Sequence, residues 1–229
     1  MDKEKIRERH SNLRRYAVTV FLAIVVIILG YASLKASIWR HKLVYSDSIH
    51  KLAVTVNGQE LRLLDMAFYV ASEEKVAQEQ AIVYNPDNPR KYWEVRVNGR
   101  FIRVEARDDA MAKAIHDEIF YRMALEEGIE LNSEEMQGVI NTQEDFWSDL
   151  SDTDSQDRLG VTREDMDRQI EKAALAYKYQ IIYAGMNGEA VENYDFSGDS
   201  YQDLLKENKY EIEESVWRNV EFGGVTVNW

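Results

Sequence analysis

From Tyr16 to Leu34 the chain runs through 19 residues without a charge. That span matches the ~20 apolar residues needed to cross a bilayer, so the pattern predicts a transmembrane helix over residues 16–35. A polar linker, residues 36–50, follows it. Leu52, Val54 and Val56 then alternate with polar residues and run into Asn57-Gly58, which predicts a short strand and a tight turn. Glu60 to Gln80 reads as a helix, with Leu63, Met66, Ala67 and Val70 on one face. Both prolines fall in Asn85-Pro86-Asp87-Asn88-Pro89, which must be a loop. Beyond it Trp93, Val95 and Val97 alternate up to Asn98-Gly99. A two-residue hairpin there would set Val95 against Ile102 and Trp93 against Val104; alternatively, Phe101 already opens the next helix.

From Glu105 to Glu127, Met111, Ile115, Ile119 and Met123 recur at helical spacing, and Gly128 follows as a stop. Asn132 or Ser133 caps the next helix, which is expected to fray in the acidic stretch Ser148 to Asp157. Thr162-Arg163-Glu164-Asp165 opens a third helix, whose expected buried face is Met166, Ile170, Ala173, Ala174, Tyr177 and Ile181. Ser200 to Glu207 reads as a short helix. Val220, Phe222, Val225 and Val227 around Gly223-Gly224 suggest a terminal hairpin or extended tail. The fold class is therefore mainly α, a single N-terminal transmembrane helix followed by a helical domain with short strands or hairpins.

Charge is unevenly divided. Residues 1–42 hold nine Lys/Arg against three acidic residues, a net of +6, so of the −13 overall, residues 43–229 carry −19. Such a body repels nucleic-acid phosphates, and no nucleic-acid partner is expected. Six basic residues precede the apolar run and three follow it. The positive-inside bias predicts a single-pass plasma-membrane protein with a cytoplasmic basic tail, residues 1–15, and an extracytoplasmic domain, residues 51–229. Gly30-Tyr31-Ala32 would also suit signal cleavage after Ala32, but the run exceeds an ordinary signal core and is flanked by Lys35, Arg40 and Lys42, so an uncleaved anchor is expected.

Without cysteine, disulfides, Cys-ligated metals and thiol catalysis are excluded. The four histidines are scattered, and only His116 lies in the body, where it reads as a solvent-facing helix residue. Asp152, Asp154 and Asp157 superficially resemble a calcium loop, but position six lacks Gly and Arg163 occupies the position that needs Glu. Neither G-x-S-x-G nor a phosphate-binding Gly-rich loop occurs. No cofactor, metal or catalytic residue is expected. The body's aromatic residues admit two readings, ordinary core packing or an adaptable peptide groove. On the second, Trp93, Phe120, Met123, Trp147, Tyr177 and Tyr183 would contact a bound polypeptide.

Three stretches carry a family resemblance: Ile115 to Ile129, with its acidic-x-Gly-Ile end; Leu131-Asn132-Ser133-Glu134-Glu135; and Gly160-Val161-Thr162-Arg163-Glu164-Asp165 with the helix to Gln180. Residues 110–184 resemble the N-terminal chaperone domain of SurA-type and PrsA-type extracytoplasmic foldases, and Val54-Thr55-Val56-Asn57-Gly58-Gln59 resembles that family's opening strand. Such proteins usually also hold a parvulin-type isomerase domain of about 90 residues, for which this chain has no room, so no isomerase activity is carried over. The insert 76–98 also departs from the family. The resemblance implies a holdase for unfolded or nascent exported polypeptides, tethered to the lipid bilayer through residues 16–35. The alternative is an assembly subunit of a cell-envelope complex, holding one fixed partner.

Overall fold

The computed structural model describes residues 24, 26–28, 30 and 43–227. The chain divides into two units, residues 1–42 and residues 43–229. In the first, Ile24, Val26, Ile27, Ile28 and Gly30 are helical and exposed. Among the described residues, no helix is long and apolar enough to cross a membrane. This overturns the expected single-pass anchor and, with it, the plasma-membrane placement. Length is not what the described helices lack. The two longest have 25 residues each, but charged side chains recur along both, and a bilayer would expel them. The rest of 16–35, and the basic tail 1–15, lie outside the described residues.

The second unit is mainly helical with a few short strands. It starts at Leu43, so residues expected to form a linker belong to it: in helix α1 (Tyr45–Ser48) the buried Tyr45 hydroxyl donates to the Leu63 carbonyl at 2.6 Å. Strands β1 (Leu52–Val56) and β2 (Gln59–Arg62) form a hairpin. Its turn places Asn57 at φ 49° and Gly58 at φ 84°, the paired positive values that let a two-residue turn match strand twist. The sequence pattern expected helix from Glu60; instead Leu61 turns inward as part of β2 and helix α2 (Leu63–Tyr84) starts three residues later. Pro89 then opens a 3-10 turn, Pro89–Glu94, in place of the expected strand around Trp93. The second Asn-Gly turn joins β3 (Arg96–Val97) to β4 (Arg100–Phe101), and the Ile102 amide donates to the Val95 carbonyl at 3.0 Å as the next helix begins.

Helix α3 (Ile102–Glu126) buries Met111, Ile115 and Ile119, as their spacing predicts. It ends where Gly128 takes φ 67°, letting the Ile129 amide reach back to the Ala124 carbonyl. Helix α4 (Ser133–Asp152) is capped by Asn132, whose side chain accepts from the Glu134 and Glu135 amides. It ends at Asp152, inside the acidic stretch where its end is expected, and a left-handed Asp154 redirects the chain into α5 (Ser155–Leu159). In helix α6 (Arg163–Asn187), Thr162 and Asp165 exchange capping hydrogen bonds. Partial burial pushes the Asp165 carboxyl pKa up, but bonds from the Thr162 hydroxyl and amide, aided by Arg168, outweigh it, and the net shift is downward. The stability this contributes is present above the ordinary aspartate range and is lost as pH falls through the depressed value. Asp165→Asn is therefore expected to lower the thermal midpoint at neutral pH, with the gap to the parent chain closing on acidification; a gap unchanged by acid would contradict this account.

The core forms where α3 and α6 pack along their lengths and α2 leans on both. Phe120 is fully buried there, its ring 6.5 Å from Tyr179, 6.0 Å from Tyr183, 6.4 Å from Tyr194 and 6.2 Å from Tyr201. His116 lies in the same layer, only 6% exposed, which corrects its expected solvent-facing position. Its Nε2 meets the Tyr194 carbonyl at 2.9 Å and its Nδ1 the Asp117 carboxylate at 2.8 Å. A 3-10 turn, Val191–Tyr194, delivers that carbonyl. The inward face of α6 also differs from expectation: Tyr177 and Ile181 face solvent, while Gln180 is buried and donates to Val191 and Asp195. Between Leu175 and Tyr183 α6 is apolar nearly all round, so periodicity cannot choose its inner face. After α7 (Asp199–Glu207), strand β5 (Tyr210–Ile212) pairs with β1, giving an antiparallel sheet of order β2-β1-β5. Helix α8 (Glu214–Trp217) leads into the C-terminal segment.

Candidate functional site: an apolar groove closed by the C-terminal segment

A polar group inside a protein has to find partners, and Glu74 finds them in an unusual way. The helical spacing of α2 drives this side chain fully inside, between the helix and the C-terminal segment. There the segment forms neither of the two expected structures, a terminal hairpin or an extended tail, but a run of turns and bends. Successive amides of Gly223, Gly224 and Val225 point at Oε1 of Glu74, at 2.5, 3.1 and 3.1 Å, and Thr226 donates both its amide and its hydroxyl to Oε2. Consecutive amides in such a curl make a concave positive surface, and a carboxylate fills it. Gly223 must take φ 86°, and a Cβ on it would stand 2.6 Å from the Trp93 ring, so only glycine fits. On the other side the Arg158 guanidinium and the Ser155 hydroxyl donate to the Thr226 carbonyl.

Pinned this way, the segment forms one wall of a groove of about 650 Å³, open to solvent on one side. Such a volume is within the range of ligand-binding clefts. Helix α2 supplies Ala71, Gln78 and Ile82 from one face, α4 supplies Phe146 and Leu150, and the segment supplies Val227. Ile82 is 50% exposed on the folded chain, an apolar side chain left without cover. Charges ring this floor. Lys75 and Asp149 pair at 2.5 Å, joining α2 to α4, and the Asp149 hydrogen bond keeps the Lys75 ammonium pKa raised. Glu79, Asp152, Asp154 and Arg158 complete the rim.

A second concavity of similar size lies among β2, α3 and α6. Its chemistry is already balanced: the buried Glu118 carboxylate accepts from Arg122 at 2.6 Å and pairs with Lys172 through its other oxygen. Among the described residues, no group of three or more His, Asp or Glu side chains is arranged to hold a metal ion.

Of the six residues expected to contact a polypeptide, none lines the apolar groove. Trp93 is buried beneath Gly223 and Phe120 lies in the aromatic core. Tyr183 packs on Phe120, Met123 and Trp147 are half-buried against the core, and Tyr177 is 57% exposed on the outer side of α6. Where Phe120, Tyr179 and Tyr183 pack together, α3 and α6 are closed on each other, and the concavity they share with β2 is lined by other residues. The groove residues that sequence reading missed did leave a signal in α4: Met136, Val139, Gln143, Phe146 and Leu150 recur at alternating steps of three and four. Set against family models, curated proteins and solved structures, the chain matches none.

Proposed function

We propose that the chain binds unfolded or extended segments of other polypeptides in the groove between α2 and α4, holding them without altering them. The observation that carries this reading is the groove's apolar lining within a polar rim, with Ile82 half-exposed, Phe146 partly buried and Leu150 buried. A floor of this kind gains free energy by accepting an apolar side chain, at ~25 cal/mol per Å² removed from water. A charged rim keeps the loaded protein from associating further. The resemblance of residues 110–184 to the SurA/PrsA-type chaperone domain supports the same reading. That stretch runs from α3 into α6 and contributes Phe146 and Leu150 to the floor.

At a roughly equimolar ratio the full chain is expected to slow the aggregation of a chemically unfolded client, measured by light scattering, and Ile82→Asp is expected to abolish the effect. Since Ile82 is half-exposed, the substitution should leave the thermal midpoint nearly unchanged. Several clients aggregating at their unassisted rates would sink the proposal.

A further inference from the structure

The groove's rim is not charge-balanced. Its two cations are both engaged: Lys75 by Asp149, and Arg158 by the carbonyls of Thr153 and Thr226 and the hydroxyl of Ser155. Of the rim carboxylates, Asp152 and Asp154 have no ion-pair partner among the described residues, and Glu79 is left only the through-space attraction of the Lys75 ammonium that Asp149 already holds. The wider body carries −19, so its net field does not offset them.

Helix α4 sharpens the imbalance. Its last turn holds Asp149 and Asp152 and no basic residue, and Asp154 follows directly. The C-terminal end of a helix is the negative end of its dipole, where cations stabilise and carboxylates oppose the field. Acidic residues here therefore work against the helix that displays them. Lys75 offsets Asp149, and Asp154 stands at the start of α5, where negative charge is favourable, so Asp152 is the carboxylate that departs from the local rule, as expected where a sequence serves something outside the fold. The carboxylates and the dipole end both face an apolar floor, and one ligand chemistry satisfies all three.

Resting on the polypeptide-binding reading above, we infer that the groove selects extended segments in which an apolar side chain is flanked by lysine or arginine. The apolar residue enters between Ile82, Phe146 and Leu150. The flanking cations meet Glu79 on one wall and Asp152 and Asp154 on the other. Because the rim stays in contact with water, charge should act mainly on selectivity between segments, and salt should weaken it.

The test is fluorescence anisotropy with the full chain and three labelled, unstructured peptides, each holding one Phe and one Leu among Ser and Gly. The flanking positions are Lys in the first, Gln in the second and Glu in the third. The Lys peptide is expected to bind about tenfold more tightly than the Gln peptide at low salt, and the Glu peptide least tightly. Raising salt from about 0.05 M to about 0.5 M should shrink the first gap to roughly twofold. The triple variant E79Q/D152N/D154N should bind the Lys peptide no better than the Gln peptide. Equal affinity for all three peptides overturns the charge selection and leaves polypeptide binding standing. A Lys preference that survives in the triple variant also overturns it, by locating the preference elsewhere. Failure of every peptide to bind overturns both.

Discussion

Replacing Glu74 by alanine is expected to destabilise the body by about 3–5 kcal/mol and to free residues 223–227. The carboxylate accepts from four successive amides and one hydroxyl, so its removal strands several buried donors together. Each stranded donor costs about 1–3 kcal/mol if it stays buried. Their sum exceeds what the segment gains by docking, chiefly the burial of Val225 at about 1.5–3 kcal/mol. The segment should therefore peel into water before the full penalty is incurred, and this sets the ceiling on the loss. Chemical denaturation gives the free energy, and amide exchange at Gly223 to Thr226 reports the release. Combining the substitution with truncation after Phe222 should add little to either alone, because both remove one interaction. An unchanged denaturation midpoint with these amides still protected would mean that Glu74 does not hold the segment.

Phe120→Ala should lower stability by about 3–5 kcal/mol, the range for deleting a buried aromatic ring. The ring has tyrosines on several sides and is fully buried, so the surrounding layer cannot collapse into the space without moving α3 against α6. This result also separates the two readings of the aromatic residues. A core ring lowers the unfolding free energy when deleted, while the fraction still folded binds peptides normally. A binding-surface ring would leave stability unchanged and lower affinity, and that outcome would falsify the core placement.

Local signals were the legible part of this fold. Two Asn-Gly pairs announced two turns, Asn132 and Thr162 announced helix starts, and Met111, Ile115 and Ile119 announced the inner face of α3. Each depends only on residues a few positions away. The misses depend on distant partners. His116 is buried because the carbonyl of Tyr194 arrives from 78 positions later. Glu74 looks like any acidic residue on a helix until amides from about 150 positions further on close around it. The groove is similarly non-local, since α2, α4 and the C-terminal segment each look complete alone. Apolar residues in α4 stand at the right spacing, but nothing in that spacing tells Phe146, which lines the groove, from Phe120, which fills the core.

The sheet joins the second unit's first strand to its last. Asn57, in the turn after β1, donates its amide to the Lys209 carbonyl at 2.7 Å and accepts the Lys209 amide at 2.9 Å, a pairing across 152 positions. During translation β1 therefore waits for its partner until residue 212 has left the ribosome. Through that interval its edge is open to other strands, and such long-range closures are slow. The newly made chain passes through the same exposed condition it is proposed to shield in others.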